Sequence, residues 1–112
     1  MAGTIKRLTS PTAMSNTYTT NIFNPASALV SNVVRHIHVA NKTAGAVTFR
    51  LFLGATGGNA AGTELFYDKS VAAYDTFDHY CAISMTSTDF LVGGASAATS
   101  LTISINGEAI AV

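Results

Sequence analysis

Apolar and polar residues alternate over residues 33–40 and again over residues 46–53, and a short polar segment joins the two runs. Side chains two apart on a strand share a face, so each run predicts a half-buried β-strand and the two together predict a hairpin. In the first run Val33, Ile37 and Val39 share one face, while Val34, His36, His38 and Ala40 share the other. In the return run Val47, Phe49, Leu51 and Leu53 oppose Thr48 and Arg50, the strongest core face in the chain. Residues 41–45 supply the turn, where Gly45 is free to take positive φ.

The rest of the chain repeats this style in short β-rich runs. Residues 1–26 are rich in Thr, Ser and Asn, and Ser10-Pro11 predicts a break between strands at 4–9 and 17–23. So few apolar residues there predict an extended arm or edge strands, with residues 27–112 forming the folded domain. Residues 27–40 read as one long strand, bent near Ser31-Asn32. Residues 54–62 hold four glycines in nine positions and predict a loop. Strands follow at 63–67 and 75–85, separated by a connection; the second carries Phe77, His79, Cys81 and Ile83 on one side. A short strand at 89–92 closes on Gly93-Gly94, and residues 95–100 form a loop. Leu101, Ile103 and Ile105 then alternate up to Asn106-Gly107, a hairpin signal from which residues 108–112 return. No helix is predicted. About eight short strands make an all-β fold, a single antiparallel β-sandwich or jelly roll.

Composition narrows the function classes. Only 11% of the 112 residues are charged, against roughly 25% in ordinary soluble domains. A neutral, β-rich surface promotes association, which favours life in an assembly. Six basic and six acidic residues cancel, and Lys6-Arg7 is the only basic pair, so a nucleic-acid partner is disfavoured. The single cysteine, Cys81, rules out an intrachain disulfide and reads as a buried, inert thiol. No apolar run approaches the ~20 residues of a bilayer span, and no charged leader precedes an apolar stretch, so the expectation is a soluble protein of a reducing cytoplasm.

Candidate chemistry is sparse. His36 and His38 project from one strand face and could reach one ion, with His79 or Asp78 as a third ligand. Cupin metalloenzymes also begin a motif with His-x-His but follow it with Glu, whereas Lys42 falls in that region here. Two surface histidines are therefore the plainer reading, and no cofactor is assigned. The Gly-rich loop lacks the Gly-Lys-Ser/Thr of a phosphate cradle. Asp75, Asp78 and His79 lack a nucleophile elbow, so no catalytic residue is assigned. Aromatics are the denser signal. Phe66, Phe77 and Phe90 read as core, while Phe52, Tyr67, Tyr74 and Tyr80 are candidates for an exposed interface patch, joined by Tyr18 and Phe23 in the amino-terminal segment.

The run Arg35-His36-Ile37-His38-Val39-Ala40-Asn41, the strand Val47-Thr48-Phe49-Arg50-Leu51, the loop Gly54-Ala55-Thr56-Gly57-Gly58, then Gly62-Thr63-Glu64-Leu65-Phe66 and the closing Leu101-Thr102-Ile103-Ser104-Ile105-Asn106-Gly107 together resemble small β-sandwich virion proteins of tailed bacteriophages. The resemblance covers about residues 33–112. It implies a non-enzymatic capsid decoration or cement protein, or a neck or tail component, assembled in the host cytoplasm and carried in the virion. The implied partners are the major capsid protein or other virion proteins, with further copies of the chain in a homo-dimer or homo-trimer. The alternatives are a host-surface or carbohydrate-binding module and, less favoured, a cupin-like metal-binding protein.

Overall fold

Alternating runs become strands throughout the computed structural model, which describes residues 3–111. The elements are β1 (Thr4–Ala13), β2 (Thr20–Phe23), β3 (Val30–Asn41), β4 (Val47–Gly54), β5 (Glu64–Val71), β6 (Thr76–Met85), β7 (Phe90–Ala95) and β8 (Leu101–Ala111), with no helix among the described residues. Met1, Ala2 and Val112, which belong to the expected arm and closing strand, lie outside them.

The pairing has a simple logic. β1 pairs with β8, β2 with β7, β3 with β6 and β4 with β5, all antiparallel. The chain is thus one long ribbon doubled back at the Gly-rich loop between β4 and β5. The ribbon then rolls up, so that β3 also pairs with β8 and β4 with β7. Two four-stranded sheets result, in the orders β1-β8-β3-β6 and β2-β7-β4-β5. Of the two expected all-β forms, this order is the jelly roll.

The core lies between the sheets. Val34, Ile37 and Val39 of β3 and Leu101, Ile103 and Ile105 of β8 meet Val47, Phe49 and Leu51 of β4, with Leu91 and Ala95 of β7. Each large side chain buried this fully contributes about 1.5–3 kcal/mol relative to exposure. Asn41, at the end of β3, is the buried polar hub beside this core. Its Nδ2 donates to the carbonyls of Gly45 and Val71 at 2.9 and 3.0 Å, while its Oδ1 accepts from the Thr43 amide and hydroxyl at 2.9 and 2.7 Å. One amide side chain therefore shapes the β3–β4 turn and ties it to the end of β5.

Four local expectations are corrected. Ser10-Pro11 does not break a strand: β1 runs through it with register shifts between Arg7 and Thr9 and between Thr9 and Thr12. Proline is tolerated there because β1 is an edge strand and bulges leave its missing N–H unneeded. The irregularity of β3 falls at Arg35, between Val34 and His36, and not at Ser31-Asn32. That extra residue flips the parity, so Val34 and not Val33 joins Ile37 and Val39 inside. Asn106-Gly107 is no turn, because β8 passes straight through it. Gly107 pairs with Val34 beside the bulge, and a Cβ there would run into the Val33 carbonyl oxygen. Likewise Gly93-Gly94 lies within β7, where the backbone of Ser15 and Thr17 presses against Gly94.

The described residues of the amino-terminal segment belong to the sandwich itself. β1 closes one sheet and β2 the other, and Met14 between them is a core residue.

Candidate functional site

The outer face of the β1-β8-β3-β6 sheet gathers the densest set of chemically competent side chains. Beyond the Arg35 bulge, strict alternation turns Ile37 and Val39 inward and His36 and His38 outward. On β6 the same rule turns Phe77, His79, Cys81 and Ile83 toward the core and leaves Asp78 and Tyr80 outside. Register does the rest. His36 stands opposite Tyr80 and His38 opposite Asp78, while on the other flank His36 faces Asn106, which faces Arg7. One row of side chains, Arg7, Asn106, His36 and Tyr80, thus crosses all four strands.

Within it, both imidazoles converge on one oxygen. His36 Nε2–H donates to Asp78 Oδ1 at 2.8 Å, and His38 Nδ1–H donates to the same atom at 2.6 Å. The Tyr80 ring stacks on His36 at 4.6 Å between centroids and 9° between planes, which fixes the orientation of that imidazole. The hydrogen bond from His38, then that from His36, holds the Asp78 carboxyl below the usual carboxylate range, against the opposing effect of desolvation. The two rings keep 24% and 35% of their side-chain area exposed, so a small ligand has access to them.

The expected third ligand divides cleanly. Asp78 joins the histidine pair; His79 does not. Its ring lies on the other face of β6, edge-on to Phe66 at 5.0 Å and near-parallel to Phe77 at 6.3 Å, where it packs as an aromatic. Beside the cluster, Arg35 reaches across to Glu108, with Nε and Nη2 at 3.0 and 2.9 Å from Oε2. Ile5, on the edge strand β1 opposite Glu108, is 85% exposed.

The aromatic candidates do not form one patch. Tyr80 belongs to the outer face just described, and Tyr74 is exposed in the β5–β6 connection. Tyr18 and Tyr67 lie with the other sheet, where the Arg50 guanidinium sits 4.3 and 4.0 Å from their ring centroids. Arg50 also forms a two-pronged ion pair with Asp68, at 2.8 and 3.2 Å. Phe23 is half-buried against the core. Phe52 is a correction: expected on an exposed face, it is buried, as is Val92, its partner on β7. Chain segments 15–19 and 55–58 meet on this side of the sheet, where the Thr19 carbonyl lies near Gly57 and Asn21 bonds to Thr56 and the Gly57 amide. Alternation marks Phe52 as outward but carries no information about what packs on that face from elsewhere in the chain.

Cys81 is half-buried, its Sγ–H directed at the Val34 carbonyl at 3.4 Å. Burial pushes its thiol above the ordinary range, which suits an inert group rather than a nucleophile. The chain matches no protein-family model, and no curated protein is significantly similar to it.

Proposed function

We propose that the chain is a non-enzymatic virion structural protein, a capsid decoration or cement protein that binds a phage shell and stabilises it. The observation that carries this reading is the number of exposed large apolar side chains, Ile5 and Tyr80 on one sheet, Tyr67 on the other, and Leu29 and Tyr74 in connections, on a chain with only 11% charged residues. Such side chains gain by being covered, and little charge opposes a neighbour's approach. The sheet edges add direction. β1 is guarded by Lys6, Arg7, Pro11 and two register shifts, devices that discourage strand addition. β6 offers ten residues with a single irregularity and one charged side chain, Asp78, itself engaged by the histidines. Contacts with the major capsid protein, with other virion proteins or with further copies in a dimer or trimer therefore use the β6 edge and the Tyr80 face. Weak contacts of this kind become effective through repetition on a lattice. A neck or tail position would use the same surface. The exposed Tyr74, on a loop of a jelly roll, supports a carbohydrate-binding module as the second reading.

Co-sedimentation with empty phage shells tests the proposal. The chain should pellet with shells in saturable amount, and Tyr80→Lys should pellet at least about tenfold less, as expected when a central interface aromatic is lost. A chain that stays in the supernatant, yet is retained on a glycan array, would replace the cement reading with the carbohydrate-binding one.

A further inference from the structure

We infer that His36, His38 and Asp78 form a binding site for a first-row divalent metal ion, zinc foremost, on the outer face of the β1-β8-β3-β6 sheet. Among the described residues these three are the one group whose donor atoms come together in this way, all within 4.8 Å of one another. The donor chemistry is that of a zinc site: two imidazole nitrogens and a carboxylate, the set that suits zinc and its first-row neighbours and not calcium or magnesium.

The geometry is nearly in place without the ion. Zinc bonds of about 2.0–2.2 Å in tetrahedral arrangement set donor atoms roughly 3.3 Å apart. The two N···O separations are 2.8 and 2.6 Å. Small ring and carboxylate rotations that part each N···O contact by about half an ångström and bring the two nitrogens, which lie within 4.8 Å of each other, to a similar separation admit a metal between the three groups. In the metal-free state the ring nitrogens carry protons that they donate to Asp78. On binding, those two nitrogens give up these protons and present lone pairs to the ion. The stack of Tyr80 on His36 already holds one ring in position.

Three protein ligands leave a fourth position open on an exposed face, to be filled by water in the isolated chain. The ion would also join β3 to the edge strand β6, since the histidines lie on one and the aspartate on the other. This inference stands apart from the proposed assembly role, since neither requires the other.

Calorimetric titration of the tag-free, full-length chain with zinc chloride tests it, repeated with cobalt chloride to read the ligand field by visible absorption. One equivalent of zinc should bind saturably and raise the unfolding temperature, and cobalt should give the absorption of a low-coordinate nitrogen–oxygen site. His38→Ala and Asp78→Asn, each confirmed folded by circular dichroism, should weaken binding by about a hundredfold or more, beyond the 10–100-fold of an outer-shell loss. His79→Ala should leave affinity unchanged. Absence of saturable binding by the unmodified chain at millimolar zinc would overturn the site, as would binding that survives His38→Ala undiminished.

Discussion

Gly107 is the residue on which two strands depend. It sits in β8 opposite Val34, beside the Arg35 bulge, and the Val33 carbonyl oxygen occupies the space a side chain would need. Gly107→Ala should therefore destabilise by about 1–3 kcal/mol, the ordinary cost of forcing extra volume into a packed place. Urea unfolding reads this as a lower midpoint at unchanged slope, and a midpoint equal to that of the unmodified chain would contradict the packing described. The pair Asn106-Gly107 looks like a hairpin turn in sequence because glycine signals both positive φ and close backbone approach. Local sequence does not separate these, since the strand that crowds Gly107 lies about 70 residues earlier. Arg35 poses the same difficulty. Nothing in an arginine announces a bulge, so the parity of Val33 and Val34 is legible only once β6 and β8 are paired with β3.

At the scale of elements, alternation located the strands well, because one-faced burial writes a period of two into β3, β4, β6 and β8. The histidine pair was readable for that reason, and so was the candidacy of Asp78. Choosing Asp78 over His79 required the register of β3 against β6, which no local pattern encodes. Arg50 shows the same division: its outward direction follows from parity, but its partners Tyr18 and Asp68 come from β1–β2 and β5 chain segments. This ion pair has a pH signature. The hydrogen bond and charge of Arg50 hold the Asp68 carboxyl below its ordinary value, so the pair's contribution is present above about pH 4 and is lost as pH falls through the lowered folded-state value. Asp68→Asn removes that contribution without new backbone strain, because Asn, like Asp, tolerates the positive φ of 53° at this position. The stability gap between the unmodified chain and Asp68→Asn should shrink as pH is lowered from about 6 to about 2. A gap constant across that range would mean that the ion pair does not contribute.

For the whole molecule, the rolled ribbon makes the two ends of the chain mutually dependent. Thr4 pairs with Ala109, and β1 and β2 each complete a sheet. Removing residues 1–26 would uncover the β8 and β7 edges and take Met14 from the core, so the shortened chain should lose cooperative unfolding and aggregate. A shortened chain that melts with the sharpness and midpoint of the full one would show that these strands are dispensable. Such long-range pairing also explains why composition and periodicity reach the fold class but not the order of strands. The proposed role in assembly rests on exposed apolar side chains and an unguarded β6 edge, and the most direct measurement is the mass of the purified full-length chain by light scattering over a range of concentrations, with and without empty shells. The account predicts discrete dimers or trimers that join shells in saturable number, whereas a chain that remains monomeric at every concentration and ignores shells would contradict it.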